Sequence, residues 1–259
     1  MTRVDDLEGT DPRMTTAAAR LLAQSVPDEA AGLVPYALDS CPRYLAAVLA
    51  PPPSRRTVAV RTILRDRTPV AVADWRMHGT TLFLNGLSVS AAFRGGGLGR
   101  QLVDDGVTLA RALGLAHLGL DVAPGNDAAN ALYRRCGFTS SSESAWHHVP
   151  VDDEPEAGTG RSRILDWPMF AAAYAAYGFG DLSIRDSDGR VASVRAVGDS
   201  IRLDGDADIG LPPAELAAII GCTRGYAVGG SAERPFLRFI RMTRPAAATT
   251  GRRRGTPRG

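Results

Sequence analysis

The sequence predicts a mixed α/β (α+β) chain in two parts, and three observations carry that prediction. An alanine- and leucine-rich start gives way to β-branched alternation after a run of prolines. A glycine cluster then separates a strand from a helix. Further on, an acidic stretch rich in Gly and Pro interrupts the pattern, which starts again beyond it.

Helical spacing predicts helices over 14–24, 28–38 and 43–50. The second opens with acids that suit a helix N-terminus, and the third stops at Pro51, Pro52 and Pro53. Alternation predicts strands over 57–64, 70–76 and 81–89, turned by Arg65-Asp66-Arg67 and by His78-Gly79 into a meander. A helix over 98–113 follows the glycines. Leu118, Leu120 and Val122 alternate as a buried strand does. A short helix over 128–136 ends at Gly137, and a strand over 146–151 closes this part. Beyond a linker at 152–160 come a helix over 167–177 and strands over 182–185, 191–196 and 200–203, with a turn at 186–189. A helix opens at Pro212-Pro213, where proline suits a first turn, and a last strand runs over 236–242. No internal repeat is evident in the residues. The expected units are 1–151, the linker 152–160, a small α+β accessory unit over 161–245, and a disordered arginine-rich tail over 246–259.

Composition narrows the function. With 44% hydrophobic and 22% charged residues in 259, the chain is ordinary for a globular protein. No stretch reaches the roughly 20 apolar residues of a membrane span, and the N-terminus has no apolar signal segment. All 30 basic residues are arginine, so no lysine of the chain can carry an acyl group. The net charge of +2 resides in the tail; the rest is slightly acidic, which speaks against a nucleic-acid partner. Cys41, Cys136 and Cys222 are odd in number and widely spaced, as reduced thiols in the cytoplasm are.

The segment from Phe83 to Arg100, FLNGLSVSAAFRGGGLGR, is the most informative. A strand, a glycine turn and a helix N-terminus together make a site for an anion, most often a phosphate. A P-loop needs Lys and then Ser or Thr after the last glycine; here Gly99 is followed by Arg100 and Gln101. The dinucleotide frame GxGxxG is absent too. What fits is Arg-x-x-Gly-x-Gly at Arg94, Gly97 and Gly99. With Leu87-Ser88-Val89 before it, and with Asn126 to Phe138 as an NxxAxxxYxxxGF block, it resembles the coenzyme A loop of the GNAT N-acetyltransferase superfamily over residues 55–150.

That resemblance implies a mixed, mainly antiparallel sheet flanked by helices, and acetyl-CoA as co-substrate. It implies that Leu87, Ser88 and Val89 pair with the pantetheine arm. Arg94, Gly95, Gly96, Gly97, Leu98, Gly99 and Arg100 would hold the pyrophosphate, and Asn126 would hydrogen-bond the coenzyme. Tyr133 would be the acid for the leaving thiolate. The base is open: Phe83 stands where some members carry glutamate, and Asn85 takes no proton. Asp121 leads the candidates, ahead of His147, His148 and Asp74, with water as a further source of base. The expected activity is acetyl transfer to a small primary amine in a ternary complex, in a cytoplasmic protein with a homo-oligomer among its expected assemblies. The alternatives are a non-catalytic acyl-CoA-binding protein, or transfer to a protein or aminoacyl-tRNA.

In the second part, the run from Asp204 to Glu215 mimics a calcium loop but has Ile209 where glycine is required and two prolines inside, so no metal site is expected. Ile164 to Pro168, Asp206 to Ile209 and the helix near Leu216 resemble a sterol-carrier-like domain appended to actinobacterial acetyltransferases. Such a unit serves assembly or walls the acceptor pocket.

Overall fold

The computed structural model describes residues 3–151, 162–205, 211–229 and 234–247. The linker expected at 152–160 lies outside them. Its first half runs β1 (Asp5–Asp6), α1 (Pro12–Ala23), α2 (Cys41–Val48), β2 (Val58–Arg65), β3 (Thr68–His78), β4 (Thr81–Val89), α3 (Leu98–Ala112), β5 (His117–Val122), α4 (Asp127–Arg135) and β6 (Thr139–Val149). The helix expected over 28–38 does not form. Gly32 turns at φ 78°, and Pro35 withholds an N–H, leaving two short 3-10 turns, Asp28–Ala30 and Pro35–Ala37. The strand expected from 146 begins at Thr139.

The second half runs β7 (Arg163–Ile164), α5 (Trp167–Tyr177), β8 (Phe179–Arg185), β9 (Val191–Val197), β10 (Ser200–Asp204), α6 (Pro213–Ile220), β11 (Arg224–Val228) and β12 (Leu237–Pro245). Strand β11 was not foreseen. With it, the second half repeats the element order of the first, minus α2 and α4. The repeat is one of topology, without matching residues, and so was not visible as a sequence period. The likeness of 161–245 to a sterol-carrier-like domain gains no support from this order.

The described strands form one sheet of 12, in the order β1-β2-β3-β4-β5-β12-β6-β11-β10-β9-β8-β7. The halves exchange their last strands. Strand β12 lies against β5, and β6 lies against β11, all antiparallel. The pair β6–β12 joins them at the centre. The parallel neighbours among the described strands are β4–β5 and β10–β11, one in each half. The exchange covers sheet edges that either half alone would expose. It also mixes the cores: Met242 of β12 is buried with Trp75, Leu102, Leu118 and Phe138 beneath α3. Ala246, assigned from sequence to the free tail, is buried, and its N–H bonds the Ala116 carbonyl at 2.9 Å. Among the described residues no helix is long and apolar enough to cross a membrane.

The other face of the first half is covered by α1 and α2, through Leu22, Leu45, Val60 and Val72. Across the join, Ala30 and Leu33 pack on Trp146, Tyr226 and Leu237, and the Tyr226 hydroxyl donates to the Leu33 carbonyl at 2.7 Å. The loop between α1 and α2 therefore bridges to the second half.

Candidate active site

Strand β4 follows β5 only from Thr81 to Leu84, opposite His117 to Leu120. There β4 bulges. Trp75 of β3 faces Leu84 and Asp74 faces Gly86, which leaves Asn85 as the extra residue. The bulge turns β4 away from β5. From Gly86 to Val89 the strand keeps β3 on one edge and, among the described residues, has no strand on the other. A cleft of about 1690 Å³ opens at this point.

One end of the cleft is the glycine turn. Gly95 and Gly97 hold φ values of 79° and 78°, and no atom lies within 4 Å of where a Cβ would stand on either. Helix α3 starts at Gly97 with no side-chain cap and no acid in its first turn. Its first bond is donated by the Gln101 N–H to the Gly97 carbonyl. Among the described residues, the amides from Gly95 to Arg100 thus have no backbone acceptor. Gly95, Gly97, Leu98, Gly99 and Arg100 line the cleft, while Gly96 does not. Arg94, Arg100 and Arg135 add positive charge there, and Arg94 braces the turn by donating from Nε to the Val89 carbonyl at 3.0 Å. Leu87, Ser88 and Val89 line it from β4. Asn126 lines it too, but its Oδ1 accepts the Ala129 N–H at 3.1 Å as the cap of α4, so only its amide NH₂ is left to face a ligand.

Tyr133 reaches the cleft from α4, with its ring edge-on to Phe138. Burial, and secondarily Cys136, push its pKa well above that of an ordinary tyrosine, so it stays protonated at neutral pH. Asp121 also lines the cleft, but both its carboxylate oxygens are engaged by Arg241 of β12. Arg241 in turn lies over the Phe83 ring, 4.9 Å from its centre. Neither histidine reaches the cleft. His147 is buried with both ring nitrogens unpartnered, and His148 stacks on Phe236 beside a separate pocket of about 290 Å³.

A polar network behind the bulge was only partly foreseen. Asp74 is fully buried. Its Oδ2 accepts from the Tyr36 hydroxyl and from Arg76, at 2.8 Å for Nη2, while Oδ1 is buried without a partner. Asn85, freed by the bulge, donates to the Tyr36 oxygen at 2.6 Å. Arg76 donates to the Tyr44 hydroxyl at 2.8 Å. Burial and then the Asp74 charge raise the Tyr36 pKa, against the pull of Arg76. Burial works against the Arg76 charge, yet Asp74 and Tyr36 hold it firmly protonated. Tyr36 and Tyr44 were missed because they sit in irregular or short elements. The available signal was Asp74 and Arg76, two alternate charged residues on an otherwise apolar strand.

The far wall belongs to the second half: Tyr177, Phe179, Asp181, Arg195, Arg202 and Tyr226 face the cleft, with Phe239 and Arg241 of β12. Tyr44 closes the seam, 4.7 Å ring to ring from Phe179.

Residues 28–138 match the model of the acetyltransferase (GNAT) family. Over nearly the whole chain the fold is similar to that of a tandem GNAT protein from the clavulanic acid biosynthesis pathway, solved without AcCoA. The TM-score is 0.65 at 14% identity, covering 96% of this chain and 100% of that one. It is likewise similar to a GCN5-related N-acetyltransferase from Sphaerobacter thermophilus, with a TM-score of 0.60 at 14% identity, covering 95% of this chain and 96% of that one. No curated protein matches the chain in sequence. The mixed sheet flanked by helices is thus the GNAT fold, as the motif resemblance implied.

Proposed function

We propose, from the GNAT match over residues 28–138, that the chain is an acyl-CoA-dependent N-acyltransferase that moves acetyl from acetyl-CoA to a small primary amine in a ternary complex. One observation carries the reading. A single cleft holds an unpaired β4 edge, a row of free amides at a helix N-terminus and a buried, protonated tyrosine.

The residues fit the coenzyme by their chemistry. The amides from Gly95 to Arg100 and the positive end of α3 suit a pyrophosphate, and the open space at Gly95 and Gly97 lets it approach the backbone. The free edge from Asn85 to Val89 suits the amides of an extended pantetheine arm, as an added strand would. Bound acetyl-CoA supplies an activated acyl group whose leaving group is a thiolate. Tyr133 donates the proton that the thiolate needs.

The amine must lose a proton as it attacks. Tyr36 and Asp74 are better placed for this than Asp121, whose oxygens are both held by Arg241. Tyr36 accepts the proton of the attacking nitrogen while its own passes along its hydrogen bond to Oδ2 of Asp74. Asp121 then serves to hold Arg241 against Phe83. The wall supplied by the second half encloses the acceptor end, which favours a small acceptor over a protein or a charged RNA.

The test is release of free coenzyme A thiol from acetyl-CoA in the presence of an amine panel. Amine-dependent release is expected. Tight acetyl-CoA binding without release for any amine would instead fit a non-catalytic acyl-CoA-binding protein.

A further inference from the structure

The acceptor end of the cleft carries a cation that the acyl chemistry does not use. Arg76, Arg195, Arg202 and Arg241 line it. Each is paired with an aspartate, three of them at 2.8 Å or less. Arg76 bonds Asp74 at 2.8 Å. Arg195 grips Asp181 through two bonds of 2.6 and 2.8 Å. Arg241 grips Asp121.

Arg202 is different. Its ion pair is with Asp204 at 3.2 Å, and that carboxylate side chain is 67% exposed and does not line the cleft. Its Nε is buried with no partner. It also stands directly opposite Arg195 on the neighbouring strand. Like charges in that position destabilise a sheet, and so does a buried N–H left unbonded. The like-charge cost is relieved by an anion arriving from the cleft, which both arginines line. The surroundings are aromatic: Tyr226 pairs with Arg202 across the strands, and Trp146 stacks on Tyr226 at 5.1 Å.

This wall faces the same cleft as Tyr36 and Asn85, and Phe179 packs 4.7 Å ring to ring from Tyr44, which bonds Arg76. Arg195 bonds Asp181, two residues along β8 from Phe179. Arg202 is its cross-strand neighbour.

We propose that Arg202 anchors a carboxylate of the acceptor, so that the amine acylated here belongs to an amino acid or a similar amino carboxylate. The inference rests on the N-acyltransferase reading and adds a role for the second half. The guanidinium matches a carboxylate in shape and charge, and Arg202 lines the cleft. The aromatic wall suits an apolar side chain beside that carboxylate.

The test uses the full chain holding coenzyme A. Calorimetry measures binding of free amino acids from glycine to L-tryptophan, of 4-aminobutyrate, and of the matching amines that lack the carboxyl group. At least one amino carboxylate is expected to bind, with its matching amine at least about tenfold weaker. Arg202→Gln is expected to erase that preference while acetyl-CoA affinity stays within about twofold, and Arg202→Lys to keep part of it. In turnover, Arg202→Gln is expected to raise KM about tenfold or more with kcat within about threefold, the pattern of lost substrate binding. The proposal is overturned if no amino carboxylate binds, if the plain amines bind equally well, or if the preference survives Arg202→Gln. Binding of phosphoethanolamine in place of every carboxylate would overturn it as well. Failure of acetyl-CoA itself to bind would strike the transferase reading instead.

Discussion

The two halves share an order of elements but treat their parallel strand pair in opposite ways. In the first, β4 parts from β5 after Leu84, because the Asn85 bulge turns it aside. In the second, β10 stays paired with β11 along its whole length, from Ser200 opposite Arg224 to Asp204 opposite Val228. The helices that follow differ too. Helix α3 opens on a bare glycine turn without an acid, whereas α6 opens on Pro212 and Pro213 with Glu215 in its first turn. An acid there competes with an anionic ligand for the positive helix end. One topology thus makes a ligand cleft when its parallel pair is open and a wall when it is closed.

The first way to break this comparison is to separate the halves. A 1–155 fragment keeps every residue assigned to the coenzyme, yet lacks β12. Both β5 and β6 would then have exposed edges, and Met242 would leave a cavity under α3. The fragment is expected to aggregate or to bind no acetyl-CoA. A soluble fragment with native affinity would show that the exchange is dispensable, and that the division at 152–160 drawn from composition is also a folding boundary.

Within the intact chain, Tyr133→Phe is expected to slow turnover by about 10² to 10⁴ while acetyl-CoA affinity stays within a few-fold, as loss of a proton donor does. Steady-state kinetics beside calorimetry separates the two effects; unchanged turnover would reduce Tyr133 to a packing residue. Gly97→Asp acts on binding. It puts a carboxylate at the helix end and a side chain where φ is 78°, and is expected to weaken acetyl-CoA about 10²-fold or more, since like charges brought together cost several kcal/mol. Pro212→Asp, at the matching helix of the second half, is expected to leave that affinity unchanged. Equal losses would mean that α6 also serves a ligand.

How much of this was legible in the residues depends on whether a feature is local. The glycine turn, the Gly137 stop of α4 and the β2–β4 meander have their causes within a few residues, so their positions could be read. The strand exchange has its cause in the pairing of β12 with β5, residues 240–245 against 117–122, and no local pattern encodes it. The acceptor wall was illegible for the same reason: Arg202 and Tyr36 lie more than 150 positions apart in the chain, yet both line the cleft. Asp121 was favoured as base because it ends the right strand; its partner Arg241 was invisible at a separation of 120 residues.

Packing under the two central helices offers a smaller contrast. In α3, Gly106 lies on Trp75, and a Cβ there would come within 2.1 Å of the indole. In α6, Ala217 fills its buried position with its methyl group. Gly106→Ala is therefore expected to destabilise by about 1 to 3 kcal/mol despite the better helix propensity of alanine, because the rigid indole must shift. Ala217→Gly is expected to cost about 1 kcal/mol for the opposite reason. Denaturant unfolding of both variants measures the difference; a stabilised Gly106→Ala would show that Trp75 has room to move.

The smallest expected effect lies in two hairpins at matching places. The turn between β2 and β3 is Asp66-Arg67, with φ of 50° and 61°, both in the left-handed region. Its counterpart between β8 and β9 assigns the positive φ of 82° to Gly189, and Asp186 Oδ1 accepts the Asp188 and Arg190 amides at 2.9 and 2.8 Å. A side chain in the left-handed region costs about 1 kcal/mol or somewhat more, while glycine adopts it freely but loses more chain entropy on folding. The two terms oppose each other, so Arg67→Gly is expected to stabilise by only about 0.5 kcal/mol. At the counterpart, Gly189→Ala gains the entropy and suffers the strain, and is expected to destabilise by a similar amount. Arg67 is not part of the cleft, so the kinetics should not move. Opposite signs of the two changes in thermal unfolding would confirm that the first half tolerates strain in a turn that the second half has relieved; equal signs would place the cost of the Asp66-Arg67 turn in the unfolded chain.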